Sequence, residues 1–302
     1  MLPAFFRLIG NVFFREIVIE GRENLPASGP VILAPNHPND LLDPLLTLFF
    51  SPPLRLRHIA KSTLFHIPVV GAILRRMRAI PVVRRQEARR TVDYTSFFED
   101  CVGALAGGDA LVIFPEGGST ASASIGPLKT GAARIVFLAR ERGIDVPIVP
   151  VGINYEDGSI FRSSVLLLVA PAVDMTSFVE LHASNPAAAI QELTEATHRA
   201  LGEHVFQAET YQDRELIVLL ERVYYESRRG QRWPERYRRL GEFKSPDTGP
   251  RRCCPREMVR LRWFVARYRR LTRLAVTHAG EPPRTATAYL FGAAGSLAAY
   301  AG

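Results

Sequence analysis

Val31-Ile32-Leu33-Ala34-Pro35-Asn36-His37 reads as a short buried strand that delivers a histidine at its end. The residues that follow, Pro38-Asn39-Asp40-Leu41-Leu42-Asp43-Pro44, carry two carboxylates three and six positions beyond it. Four consecutive aliphatic residues without polar alternation are the pattern of a strand covered on both faces. On one continuous helix six residues turn the chain by about 600°, so His37 and Asp43 would not face each other. They need a bend, and Asp43-Pro44 predicts one, with Asp43 as N-cap, Pro44 at the first helical position and residues 37–42 as a connecting turn. The two side chains then converge. A carboxylate on one imidazole nitrogen fixes the tautomer and supports the cation formed when the other nitrogen takes a proton, which makes a general-base dyad. The same residues, taken singly, also read as a satisfied core histidine and a simple helix cap.

Outward from this stretch the pattern alternates. Ile17–Glu20 reads as a short strand and 24–30 as a turn; strands are expected at 57–60, 79–83, 110–114, 146–153 and 165–169, and helices at 69–77, 91–106 and 131–142. Strands alternating with crossover helices predict an α/β fold: a mixed, mainly parallel central sheet flanked by helices. Beyond Pro186 strand signals cease, and helical periodicity covers 187–203 and 212–227. The expected organisation is an N-terminal amphipathic helix within 1–19, a catalytic domain over 20–210 and a basic helical accessory region over 211–302.

Composition limits the classes of function. The chain has 302 residues, 47% hydrophobic and 23% charged, and its three cysteines (Cys101, Cys253, Cys254) form no paired framework and no zinc spacing. A reducing setting fits. Residues 228–273 hold sixteen Lys/Arg against four Asp/Glu, an excess larger than the +8 of the whole chain, so the remainder is slightly acidic. Such a block suits phosphates of a lipid surface or of nucleic acid, or is a solvated helical face. No apolar run reaches the roughly eighteen residues that a spanning helix requires. Near the start, Arg7, Asn11 and Arg15 recur on one helical face while Phe5, Phe6, Ile9, Val12 and Phe13 cover the rest, the pattern of an interfacial anchor or of a core-packing helix. Residues 286–302 are Ala/Gly-rich and uncharged, open to reading as a marginal membrane segment or a buried helix.

A second constellation is Phe114-Pro115-Glu116-Gly117-Gly118-Ser119-Thr120, a strand end followed by a carboxylate, two glycines and two hydroxyls. Glycines let backbone N–H groups approach an anion, and Glu116 is suited to holding a polyol hydroxyl. Arg84 closes Ile80-Pro81-Val82-Val83-Arg84, and Lys129 lies in Pro127-Leu128-Lys129-Thr130-Gly131. Arginine can grip a phosphate through two parallel hydrogen bonds, which lysine cannot.

In order, Asn36-His37 through Asp43, Ile80 to Arg84, Phe114 to Gly117, and Ile148-Val149-Pro150-Val151 resemble the four motifs of the glycerolipid acyltransferase superfamily. The resemblance spans about residues 1–175 and includes the approach Glu20-Gly21-Arg22-Glu23-Asn24-Leu25-Pro26. It implies His37 as general base and Asp43 as its orienting carboxylate. Arg84 and Gly117 would contact phosphate and polyol with Glu116, beside Gly118 and Ser119, and Pro150 would shape the acyl side. Lys129 and Arg162 join these by charge and position alone. This chain departs from the common pattern twice. Five residues separate His37 from Asp43 where most members have four, and Gly118-Ser119 replaces the usual Thr-Arg. Both departures, with Asn154-Tyr155 and Phe161-Arg162-Ser163, resemble the branch acting on glycerol 3-phosphate or dihydroxyacetone phosphate.

The expected chemistry is transfer of a fatty acyl group from acyl-CoA or acyl-ACP to a hydroxyl of such an acceptor, in phospholipid biosynthesis. The alternative acceptor is 1-acyl-sn-glycerol 3-phosphate (lysophosphatidate). No metal and no cofactor beyond the acyl donor is expected, and the partner is an anionic membrane surface at its cytoplasmic face rather than nucleic acid. No Gly-x-Ser-x-Gly elbow and no cysteine near the histidine offers a covalent nucleophile. Two other readings are a metal-dependent phosphohydrolase with His37, Asp40 and Asp43 as ligands, and a non-enzymatic lipid- or nucleic-acid-binding protein.

Overall fold

The computed structural model describes residues 2–83, 93–119, 123–158, 161–208, 214, 217–218 and 232–244. The chain divides into two compact units, Met1–Tyr211 and Gln212–Gly302.

The first unit is built on seven strands: β1 (Glu16–Glu20), β2 (Val31–Pro35), β3 (Leu56–Lys61), β4 (Ile80–Val82), β5 (Ala110–Val112), β6 (Ile148–Tyr155) and β7 (Ser164–Val169). They form one sheet in the order β1-β7-β6-β2-β5-β3-β4. All neighbouring pairs are parallel except β6–β7, which is antiparallel. The helices are α1 (Leu2–Phe13), α2 (Leu42–Thr47), α3 (Pro68–Arg76), α4 (Thr95–Ala106), α5 (Gly131–Glu141), α6 (Thr176–Ser184) and α7 (Pro186–Glu203). The α/β fold with a mainly parallel sheet is thus as the sequence pattern predicts.

The period of two along β2 explains the two-sided core. Val31 and Leu33 point into a cluster with Leu46, Phe50, Val149 and Phe14, whereas Ile32 and Ala34 point into another with Ile135, Val136 and Leu105 from α4 and α5. Every residue of β2 and of β6 is buried. Each fully buried aliphatic side chain contributes about 1.5–3 kcal/mol, so these two strands fix the register on which the site depends.

Because β2 to β6 all run the same way, their carboxyl ends lie at one edge of the sheet. The amino ends of β7 and β1 lie there too, since β7 runs against β6 and β1 runs with β7.

Several expectations change. The helical part of 1–19 stops at Phe13, because Glu16–Glu20 pairs along its length with Ser164–Leu168 of β7. Asp43 is not the N-cap of α2; it lies inside the first turn, and the Asn39 carboxamide oxygen accepts from the Leu41 and Leu42 N–H groups instead. The bend therefore begins four residues before Asp43. Helix α6 was not expected; its start is organised by Asp174, whose carboxylate accepts from the backbone and hydroxyl of Thr176. Among the described residues, no helix is long and apolar enough to cross a membrane.

In the second unit the described residues include α8 (Trp233–Lys244). Trp233 is buried, with Tyr237 packed edge-on at 6.0 Å and the Arg236 guanidinium over its ring at 5.5 Å. Of the helix expected over 212–227 only 214, 217 and 218 are described, and they are helical; residues 286–302 and most of the basic stretch over 228–273 lie outside the described residues.

Gly152 is where β6 meets the end of α7. A Cβ there would stand 1.9 Å from the His204 carbonyl oxygen, a backbone atom that cannot swing aside. We expect Gly152→Ala to destabilise the chain by about 3 kcal/mol, read as a lower urea midpoint with an unchanged slope.

Candidate active site

Three strand ends assemble the site. From β2 the chain continues through Asn36, whose carboxamide mimics a peptide group: its Nδ2 donates to the Ile153 carbonyl at 3.2 Å and its Oδ1 accepts from the Ile153 N–H at 2.6 Å. This extends the β2–β6 ladder past Pro35 and fixes the backbone at His37. From β5 come Phe114 and the 115–119 turn, and from β6 comes Tyr155.

His37 is 7% exposed and its ring stacks on Phe114, with centroids 4.0 Å apart and planes 21° apart. Its Nδ1 lies 2.9 Å from Asp43 Oδ2. A carboxylate can only accept there, so Nδ1 carries the proton and Nε2 presents a lone pair. The nearest carboxylate to Nε2 is that of Asp40, 3.6 Å away on a side chain 78% exposed. That distance is too long for a hydrogen bond.

Asp43 is fully buried, and three donors converge on it. Oδ2 accepts from His37 Nδ1 and from the Asn39 backbone N–H at 2.7 Å, and Oδ1 accepts from the Tyr155 hydroxyl at 2.5 Å. Burial pushes the Asp43 carboxyl above its ordinary value of 3.8, opposed by the hydrogen bonds from His37, Tyr155 and Asn39 and by the charge attraction of His37. Burial, followed by the Asp43 charge, raises the Tyr155 hydroxyl well above its ordinary value, so Tyr155 remains a donor. Tyr155 is a functional residue whose role the sequence did not disclose. The signal available was a phenol at the end of a strand that is apolar up to Asn154, where a hydroxyl needs a buried partner.

The other expected residues distribute unevenly. Glu116 is in place, but its carboxylate ties loops together: Oε1 accepts from the His37 N–H at 2.8 Å and Oε2 from the Gly126 N–H at 3.3 Å. Gly117 has φ of 74°, a left-handed conformation open to glycine, and a Cβ there would lie 2.6 Å from Lys129 Cε and Nζ. The Lys129 ammonium is therefore held over the Pro115-Glu116-Gly117 turn, and the Lys129 N–H donates to the Pro115 carbonyl at 2.8 Å. Gly118 and Ser119 continue this turn, half-buried. Pro150 is buried in β6 opposite Ala34 of β2, one strand away from the histidine. Arg162 lies in the β6–β7 connection at φ 65°, where its N–H donates to the Phe13 carbonyl. Arg84 lies outside the described residues.

Two further titratable groups are core residues. His58 is buried and pushed down to about 4 by burial, hence neutral, with Nε2 2.7 Å from the Thr47 hydroxyl. Burial pushes the Cys101 thiol in α4 up to about 12, which leaves it unreactive. Among the described residues no group of three or more His, Cys, Asp or Glu is arranged to hold a metal ion.

Residues 16–154 match the family model described as Acyltransferase. The chain is 34% identical over 140 residues to a chloroplastic 1-acyl-sn-glycerol-3-phosphate acyltransferase of Brassica napus, covering 46% of this chain and 37% of that protein. It is 25% identical over 138 residues to glycerol-3-phosphate O-acyltransferase 1 of Saccharomyces cerevisiae, covering 44% and 18%. With the 1-acyl-sn-glycerol-3-phosphate acyltransferase of Bacillus subtilis it is 24% identical over 179 residues, covering 58% and 83%. The chain spans 37% of the length of the two plant relatives it matches.

Removing the Tyr155 hydroxyl while keeping its ring tests the carboxylate's support. Tyr155→Phe should lower stability at neutral pH by about 1.5–3 kcal/mol, the worth of a hydrogen bond to a charged group. The Tyr155 bond lowers the Asp43 pKa, so its contribution belongs to the ionised form: it is complete at high pH and is lost as pH falls and Asp43 takes up its proton. The stability gap between the two proteins in urea titrations should accordingly narrow on acidification, and a gap independent of pH would contradict this.

Proposed function

We propose that the chain, whose residues 16–154 match the Acyltransferase family model, is a glycerolipid acyltransferase that transfers a fatty acyl group from a thioester, acyl-CoA or acyl-ACP, to a hydroxyl of glycerol 3-phosphate or dihydroxyacetone phosphate. The observation that carries this reading is the His37–Asp43 pair at 2.9 Å with Nε2 turned away from the carboxylate. His37 Nε2 takes the hydroxyl proton as the oxygen attacks the thioester carbonyl carbon. The carbon–sulfur bond then breaks, and the departing thiolate receives that proton from the imidazolium. Asp43 stabilises the imidazolium, and Tyr155 and Asn39 hold Asp43 in place. No covalent acyl-enzyme and no cofactor is required. A thiolate leaves readily, so no strong general acid is needed.

Lys129 over the Gly117 turn supplies a cation for the acceptor phosphate, and Gly118 and Ser119 border it. Arg84 is assigned to the same phosphate by its motif position, and Arg162 by its charge. Pro150 lies on the acyl side. Glu116 acts first through the loops, since its carboxylate anchors the His37 backbone.

Acylation of 1-acyl-sn-glycerol 3-phosphate is the second reading. The higher identity to the plant enzyme of that name supports it, whereas Gly118-Ser119, the five-residue spacing and Asn154-Tyr155 favour the unacylated acceptor. The place of work is the cytoplasmic face of a membrane, with α1 exposing Leu8, Ile9 and Val12 toward it.

A labelled acyl donor offered with each of the three acceptors tests the activity and its substrate together. His37→Ala should lower kcat by about 100- to 10,000-fold on the preferred acceptor, and exhaustive chelation should leave the parent rate unchanged. Equal rates for parent and His37→Ala would end the dyad reading, and loss on chelation restored by a divalent metal would favour the phosphohydrolase.

A further inference from the structure

The large exposed hydrophobic side chains of the described residues are not scattered. Leu41 follows β2, a stretch from Leu64 to Val70 follows β3, Val83 follows β4, and Phe161 sits between β6 and β7; the remaining three are on α1. Apart from α1, all leave the sheet at the edge that carries His37. The densest group is the β3–β4 connection, where Ile67 is 46% exposed and Val69 71%.

This connection is a formed tip. Residues Ser62–His66 make a 3-10 turn, and α3 starts with Pro68 in its first turn. Gly71 is buried against that turn; a Cβ would stand 2.2 Å from the Phe65 carbonyl oxygen, so glycine lets α3 fold back on residues 62–66. The Arg75 guanidinium donates to the same carbonyl at 3.0 Å. Leu64, Ile67, Val69 and Val70 are thus held outward by backbone packing, and little freedom remains to be lost on docking.

Along the chain, the charge flanking the tip has one sign. From Pro44 to Val83 the sequence contains no Asp or Glu, while Lys61, Arg75, Arg76 and Arg78 bracket the exposed stretch. Aliphatic tips with cationic shoulders match a bilayer whose headgroups are anionic, since acyl chains accept such tips without preformed pockets and each surface cation adds to the attraction. A protein partner is expected to require aromatic or arginine anchors seated in the interface centre, whereas the large hydrophobic side chains exposed on this tip, Leu64, Ile67, Val69 and Val70, are all aliphatic and its arginines lie on the shoulders.

We infer that residues 64–70 are a second membrane-docking site, on the β3–β4 flank of the sheet, which inserts into an anionic lipid surface independently of α1. The inference rests on surface chemistry and does not require the acyl-transfer reading. α1 packs on α2 and on the turn at Leu48–Phe50, whereas this tip follows β3 and leads into β4, so the two anchors are separate segments of the fold.

The test uses the full chain in flotation with vesicles of phosphatidylcholine, with or without a minority of phosphatidylglycerol. Ile67→Ser/Val69→Ser should weaken partition to the phosphatidylglycerol vesicles by about tenfold or more, while leaving acyl transfer between short-chain acyl-CoA and a soluble acceptor unchanged in the absence of vesicles. Undiminished partition overturns the inference, and so does a variant that floats normally yet loses binding to an acidic acyl carrier protein, which would assign the tip to a protein partner. A second variant guards against misfolding: Val69→Trp should show a blue-shifted increment of tryptophan emission over the parent when these vesicles are added, and no increment would refute insertion. A parent inactive on every acceptor whose Val69→Trp form still shows the shift would end the enzymatic reading and leave the docking site standing.

Discussion

A carboxylate with no solvent exposure must be compensated on both oxygens, and Asp43 dictates much of the local architecture for that reason. Its three donors come from three places: the His37 ring at the end of β2, the Asn39 backbone in the bend, and the Tyr155 hydroxyl at the end of β6. Removing any one leaves a buried charge short of a partner, so the bend, the strand register and the β6 end are energetically linked. The Asn36 clamp on Ile153 belongs to the same logic, because it sets how far β2 projects beside β6 and hence where His37 and Tyr155 meet Asp43.

Much of this was legible in the sequence, and the exceptions are instructive. β2 and β6 were readable because both are continuous apolar runs, the mark of parallel strands covered on two faces. The His37–Asp43 convergence was legible as a need for a bend, but the device was misassigned: Asp43-Pro44 has the chemistry of a helix start, yet Asp43 is buried against His37 while the Asn39 carboxamide accepts from the Leu41 and Leu42 N–H groups. Local sequence marks Asp43-Pro44 as a helix start and does not say that the carboxylate is needed elsewhere.

Long-range partners were beyond sequence reasoning. Tyr155 lies 112 residues from Asp43, and Glu116 lies 79 residues from the His37 N–H it accepts. Periodicity reports which face of an element is buried, not which polar group at its end finds which partner. Glu116 was accordingly read as a ligand for a polyol, although its two oxygens are already engaged with backbone N–H groups on two segments. Helix α6 escaped for a different reason: none of its residues is fully buried, so its apolar stripe is weak.

The strand directions bring these observations together. Parallel strands send their polar connections to one edge, where backbone groups are free of the ladder and side chains from distant segments converge. That edge holds the dyad, the Gly117 turn with Lys129 over it, and the apolar residues that follow β2, β3 and β4. The proposed acyl transfer joins a phosphorylated, water-soluble alcohol to a long apolar chain, and such a catalyst needs a cationic turn and an apolar rim within reach of one base. A sheet with its strands reversed at random would scatter these requirements over two edges. Five strands running one way, with only β7 and β1 opposed, gather them on one.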